Sequence, residues 1–321
     1  MRTLCLLSLF LMASCTTEVQ GPATPPLSDA GVAQTNPLEV TTTQGTLEGL
    51  EEDGLRVFRG VPYASPPVGE LRFKPTTDHD AWEGIRQAHT MGPRCPQPQG
   101  ENDRWAMDED CLTLNIWAHP PSDTLKPVMV WIHGGSLTQG ASSNPVYQGD
   151  HIALDGDVVM VSINYRLGLL GYLATNGLRD ERDGQAGNYG LHDQIHALRW
   201  IQDNIEAFGG DPSQVTVFGE SAGALSVCAL MGSPAANELF ARGIMQSGSC
   251  WNVTPMVAVD NSASGVGRGR VVLEALGCSG DSEVACLRSK TVDELLTAQT
   301  AEGVEIGLIV EGTGGLLPSQ P

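Results

Sequence analysis

Val215-Thr216-Val217-Phe218-Gly219-Glu220-Ser221-Ala222-Gly223-Ala224-Leu225 is the stretch whose reading decides the fold. Its first four residues are β-branched or aromatic and suit a buried strand. From Ala222 to Met231 the chain is small, apolar and free of proline, as a core-buried helix requires. Between the two lies a G-x-S-x-G pattern, in which a strand turns sharply into a helix and leaves the serine hydroxyl exposed at the top of a sheet. Gly219 and Gly223 are needed because a Cβ at either place would collide with the neighbouring strand and helix. In a chain with 38 glycines the pattern alone is weak. Strand, turn and helix in the required order make it specific, and Ser221 reads as a nucleophile with a helix N-terminus aimed at its oxygen.

Upstream, Pro127-Val128-Met129-Val130-Trp131-Ile132 reads as a central strand running into His133-Gly134-Gly135-Ser136. A glycine-rich loop lets main-chain N–H groups approach a tetrahedral oxyanion closely, and those donors are assigned to Gly135, Ser136 and Ala222. His133 precedes the nucleophile in the chain, so it is read as orienting the loop rather than as the general base. Val158 to Ile163 and Gly243 to Gln246 complete the central strands. The expected fold class is α/β, a three-layer sandwich with a mostly parallel sheet and helices on both faces. Leu191, Ile195, Leu198, Ile201 and Ile205 form a buried helical stripe that ends at Gly209-Gly210. His192 and His196 flank that stripe towards solvent, four residues apart. They lack the intervening Glu and the third ligand of a zinc site, so no metal is expected there.

Further segments carry a family resemblance. They are Phe58-Arg59-Gly60-Val61-Pro62-Tyr63-Ala64, Pro66-Pro67-Val68-Gly69-Glu70-Leu71-Arg72-Phe73 and Glu109-Asp110-Cys111-Leu112-Thr113-Leu114-Asn115. Asn164-Tyr165-Arg166-Leu167-Gly168, the run from Gly187-Asn188-Tyr189-Gly190-Leu191 to Phe208-Gly209-Gly210-Asp211-Pro212, and Gln246-Ser247-Gly248-Ser249 belong with them. Over residues 38 to 321 the chain resembles the type B carboxylesterases, the cholinesterase-like branch of the α/β-hydrolases. The resemblance implies hydrolysis of small-molecule carboxylic esters through a serine acyl-enzyme, with no cofactor. It makes Glu220 an electrostatic support of the site and Ser247 a second, buried serine near it. It also implies disulfides Cys95–Cys111 and Cys278–Cys286, while residues 38 to 73 resemble the family's N-terminal antiparallel portion.

Two departures from the family pattern stand out. Ser136 occupies the place of a third loop glycine, where a backbone donor survives the change. All seven histidines precede Ser221, whereas the hydrolase order is Ser, acid, His. The segment Ile309 to Pro318 resembles the part just before the acid-bearing strand. The expectation is therefore a chain truncated before the catalytic acid and histidine, without a complete triad and without the last sheet strands. The alternative is a non-catalytic adhesion domain of the cholinesterase-like type.

Residues 1 to 14 read as a signal peptide, with Arg2 ahead of an apolar Leu4 to Met12 too short to span a membrane. Leu11-Met12-Ala13-Ser14-Cys15 resembles a bacterial lipobox, which makes Cys15 the lipidated residue of a cell-envelope lipoprotein; ordinary secretion is the alternative. Residues 15 to 37 are rich in Pro, Thr, Ser and Ala, have no periodicity, and read as a disordered tether. The cysteine pattern suits an oxidising compartment. Cys228 is read as a buried, unpaired hydrophobe on the helix after Ser221, and the state of Cys250 is open. A net charge of −20 argues against nucleic acid or an anionic membrane surface as partner, leaving a lipid anchor as the membrane contact.

Overall fold

Strands form where β-branched and aromatic residues cluster. The computed structural model describes residues 36–99, 106–250, 256–257, 265–311 and 315–317. The expectations for the signal peptide, for Cys15 and for the tether up to residue 35 lie outside the described residues. The strands are Glu39–Thr41 (β1), Thr46–Glu48 (β2), Leu50–Glu52 (β3), Leu55–Pro62 (β4), Ile85–Gln87 (β5), Thr113–Ala118 (β6), Lys126–Ile132 (β7), Val159–Ile163 (β8), Gly210–Glu220 (β9), Arg242–Gln246 (β10), Met256–Val257 (β11) and Ile309–Val310 (β12). The helices are Asp150–Gly156 (α1), Gly168–Tyr172 (α2), Asn176–Asp180 (α3), Tyr189–Asn204 (α4), Ala222–Gly232 (α5), Gly265–Leu276 (α6), Glu283–Ser289 (α7) and Val292–Gln299 (α8).

Seven strands make the central sheet in the order β10-β9-β7-β8-β6-β4-β3. Strands β10, β9, β7 and β8 run parallel to one another, whereas β6, β4 and β3 continue the sheet antiparallel. The sheet is thus more mixed than the mostly parallel one expected. The parallel part carries near-continuous apolar runs because both of its faces are covered. On one face Val130, Ile132, Val215 and Val217 pack in the same core as Leu191, Ile195, Leu198 and Ile201 of α4 and Val227 of α5. On the other, Trp117, Trp131, Met160 and Phe218 pack with Ala153 of α1. These are the three layers. Among the described residues strand β10 forms one edge, and its Ile244 is 44% exposed, an apolar edge of the kind that invites pairing.

The strand order matters for the site. From β7 the chain crosses through α1 to β8 on one side, and later returns through α4 to β9 on the other side of β7. In open α/β sheets such a reversal opens a crevice at the carboxyl ends of the strands, where ligands bind. Here those ends lead into the His133 loop from β7 and into Ser221 from β9.

Candidate active site

Ser221 stands between β9 and α5 with φ 54° and ψ −119°, a conformation that a side-chain-bearing residue holds only under constraint. The constraint is visible on both flanks. A Cβ on Gly223 would lie 2.1 Å from the Ile132 carbonyl oxygen, and one on Gly219 would lie 2.6 Å from the Gly223 carbonyl carbon. The elbow therefore folds only with glycine at both positions. The Ser221 N–H donates to the Gln246 carbonyl of β10 at 2.9 Å, and the Ser221 carbonyl accepts from Leu225 N at 3.1 Å. The hydroxyl is half-buried and makes no hydrogen bond to a described residue.

The His133 loop comes up against this elbow. A Cβ on Gly134 would lie 2.7 Å from the Glu220 carbonyl oxygen and 3.2 Å from the Ser221 Cβ. Gly135, Ser136 and Leu137 follow with φ 109°, 56° and 61°, so three consecutive residues take left-handed backbone. The Thr138 and Gln139 amides both donate to the Gly135 carbonyl at 3.0 Å, which closes the turn. Among the described residues, the amides of Gly135 and Ser136 donate to no acceptor; nor does that of Ala222 at the first turn of α5. The three assigned donors are thus brought to one locality, unpaired.

His133 is 1% exposed and takes no part in a bond to Ser221. Its Nδ1 lies 2.8 Å from the Gly134 carbonyl, an acceptor, so Nδ1 carries the proton. Burial, and secondarily the charge of Arg94, holds this imidazole down to about 4, against the raising effect of its bond to Gly134. At neutral pH it is an uncharged orienting group. Its ring stacks on Tyr165, with centroids 4.4 Å apart and planes at 20°.

Glu220 lies half-buried across Gly134, and a Cβ on that glycine would come within 3.1 Å of its Oε2. Burial, followed by the Glu220 charge, pushes the Tyr147 phenol up. Ser247 departs from expectation. It is exposed rather than buried, with φ 54°, because it leaves strand β10, which among the described residues has a partner on one side only. The zinc-like pair also differs: His192 and His196 are half-buried rather than solvent-facing. His192 Nε2 lies 3.1 Å from Arg182 Nη2, and His196 Nε2 lies 3.2 Å from an Asp78 carboxylate oxygen.

The cysteine pairing brings a correction. Cys95–Cys111 and Cys278–Cys286 are disulfides, as the resemblance implied. Cys228, read as an unpaired hydrophobe, is buried but bonded to Cys250. The helix after Ser221 and the turn after β10 lie side by side, since Gln246 is opposite Glu220 in the β10–β9 register. That adjacency brings the two sulfurs together. Sequence reading also missed two residues that brace the loop, Tyr165 and Gln97. Tyr165 belongs to a motif already singled out by resemblance; Gln97 carried no signal beyond lying two residues after Cys95. A cleft of about 520 Å³ lined by residues including Thr175, Arg270, Leu273 and Glu283 contains none of the site residues.

A mixed sheet with a nucleophile elbow on one strand and a glycine-rich donor loop on its neighbour defines an α/β-hydrolase. The carboxylesterase family profile matches residues 36–321, and the chain belongs to that family. It is 50% identical over 214 residues to a phenmedipham hydrolase of Pseudarthrobacter oxydans, covering 64% of this chain and 42% of that protein. It is 40% identical over 264 residues to a para-nitrobenzyl esterase of Bacillus subtilis (strain 168), covering 81% and 52%. The crystal structure of Geobacillus stearothermophilus carboxylesterase EST55 at pH 6.2 superposes with a TM-score of 0.80 at 41% identity, over 88% of this chain and 57% of that one. The chain spans about half the length of the curated relatives it matches.

Proposed function

We propose that this protein hydrolyses small carboxylic esters through an acyl-enzyme on Ser221. The Ser221 hydroxyl attacks the ester carbonyl, the amides of Gly135, Ser136 and Ala222 take the developing oxyanion, the alcohol departs, and water releases the acid. One observation carries the reading: a strained serine elbow packed against a glycine-rich loop, with three backbone amides that have no acceptor among the described residues. The phenmedipham hydrolase and para-nitrobenzyl esterase to which the chain is similar support the substrate class. Glu220 is assigned as an electrostatic support of the site. Retention of both the nucleophile and its donors favours this reading over a non-catalytic adhesion domain.

A base for Ser221 is not found among the described residues. All seven histidines precede it, and none hydrogen-bonds to it. Loss of the base from such a site costs roughly 10⁶ in turnover. Residues 15–321 alone are therefore expected to hydrolyse an activated aryl ester barely above background. The intact protein is expected to be labelled at Ser221 by a fluorophosphonate and to lose that labelling in Ser221→Ala. Robust Ser221-dependent turnover by residues 15–321 would instead show that a base lies within them, with His133 the first suspect. An intact protein that neither turns over the ester nor takes the label would overturn the esterase reading.

Export, with lipid on Cys15 as the leading form and plain secretion as the other, is supported by three disulfides, which persist in oxidising compartments. Mass analysis of the N-terminal peptide of the mature protein decides between the two.

A further inference from the structure

We propose that Tyr165 is a positioning residue for the oxyanion hole, holding two successive peptide groups of the His133 loop so that the following amides face Ser221. The inference rests on the esterase reading of Ser221 and its donors. A trans peptide sets its C=O and its N–H on opposite sides, so gripping the carbonyl fixes where the next N–H points. The Tyr165 hydroxyl donates to the His133 carbonyl at 2.7 Å, which sets the His133–Gly134 peptide. The stacked His133 imidazole donates from Nδ1 to the Gly134 carbonyl at 2.8 Å, which sets the Gly134–Gly135 peptide and hence the Gly135 N–H. One phenol thus controls the first peptide directly and the second through the ring lying on it.

The arrangement is rigid where rigidity is needed. Tyr165 has no exposed surface, and its phenol is pushed up by burial, so it stays a donor at any working pH. Its neighbours are tied down on both sides. Asn164 Oδ1 accepts from Ser142 N at 2.8 Å, and its Nδ2 donates to the Pro93 carbonyl at 2.9 Å. The buried Arg166 clasps Asp193 through Nε and Nη2 at 2.8 and 2.7 Å, and its main-chain N–H reaches the same carboxylate at 2.9 Å. Farther along, Gly168 N donates to the Leu137 carbonyl at 2.7 Å, gripping the other end of the donor turn. Without such holds, two consecutive glycines would sample many backbone conformations. Donors stabilise an oxyanion best when they are already aimed.

A residue that merely fills the core would act differently from one that aims donors. Tyr165→Phe keeps the ring, the volume and the stack, and removes only the hydroxyl. In the intact protein, with p-nitrophenyl acetate, kcat is expected to fall about 10- to 100-fold with KM within twofold of wild type; the denaturation midpoint falls because the His133 carbonyl loses its donor, but the variant stays fully folded under assay conditions. Binding of a trifluoromethyl ketone, which forms a tetrahedral adduct with the serine, is expected to weaken by a similar factor. A kcat within twofold of wild type, or a loss matched by a lower folded fraction, would overturn the proposal. If wild type shows no Ser221-dependent turnover, the esterase reading fails separately, and amide hydrogen exchange of residues 133–140 then decides the loop question. Faster exchange there in Tyr165→Phe, with other segments unchanged, supports the positioning role; unchanged exchange overturns it.

Discussion

Gln97 and Gly140 face each other as a two-point amide pair: Gly140 N–H donates to Gln97 Oε1, and Gln97 Nε2 donates to the Gly140 carbonyl, both at 2.8 Å. The same Nε2 reaches the Cys95 carbonyl at 3.0 Å. Gly140 has φ 115°, and a Cβ there would lie 2.4 Å from His133 Nδ1. The far end of the donor loop is thus pressed onto the histidine at its start and clamped from outside. The clamp is anchored in turn, because Cys95 is bonded to Cys111. Between the two held ends only the short left-handed turn is left to present amides.

Gln97→Ala should therefore leave the Gly140 amide and carbonyl unpaired at a partly buried position. Each unmet group costs about 1–3 kcal/mol. Urea denaturation should show a loss of about 2–3 kcal/mol in total, since part of the space admits water. A change below about 0.5 kcal/mol would mean that the pair contributes nothing to the fold.

The Cys228–Cys250 bridge closes a loop of sequence separation 22 and ties the nucleophile helix to the turn after β10. Non-reducing peptide mapping should recover the two cysteines in one linked species. The double variant Cys228→Ala/Cys250→Ala should lose about 3 kcal/mol of folding free energy by the chain-entropy estimate for such a loop. Free Cys228 in the oxidised protein would contradict the pairing.

Ser136 holds φ 56°, where a Cβ is disfavoured by about 1–2 kcal/mol. Ser136→Gly relieves that strain but adds freedom to the unfolded chain worth about 0.5–1 kcal/mol. The net expectation is a gain of up to about 1.5 kcal/mol, with ester hydrolysis retained because the proposed donor is the backbone amide. Ser136→Val should destabilise by more than the glycine variant stabilises. Thermal unfolding of the three proteins side by side tests the order.

His133 gives the fold a pH dependence of known sign. The folded imidazole titrates near 4, below its ordinary 6.5, so between those values the unfolded chain binds a proton that the folded one excludes. Stability is full above pH 6.5 and falls as pH drops through the window, by about 1.4 kcal/mol per unit and about 3 kcal/mol by pH 4. The half-buried His192 is lowered for the same leading reason and adds in the same direction. Denaturation curves from pH 7 to 4 should be flatter in His133→Gln than in wild type. An equally steep fall in the variant would assign the effect elsewhere.

Much of this protein is legible along the chain because the responsible residues are neighbours. Val215 to Phe218, the two glycines around Ser221 and the apolar run after it dictate strand, elbow and helix through local periodicity and sterics. Family likeness in adjacent residues carried two of the disulfides as well. The rest depends on which strand lies beside which. β7 sits between β8 and β9, so Gly134 meets Glu220 and Ser221, residues far apart along the chain. That order gave the sheet its antiparallel half, exposed Ser247 beside an edge strand, and brought Cys250 to Cys228. Tyr165 and Gln97 became braces of the donor loop in the same way, across 32 and 43 residues of chain. Short-range pattern specifies an element and the face it buries. A hydrogen bond or a sulfur–sulfur bond between distant residues exists only once packing has chosen the path of the backbone, and here that choice set the glycine-rich loop against the serine elbow.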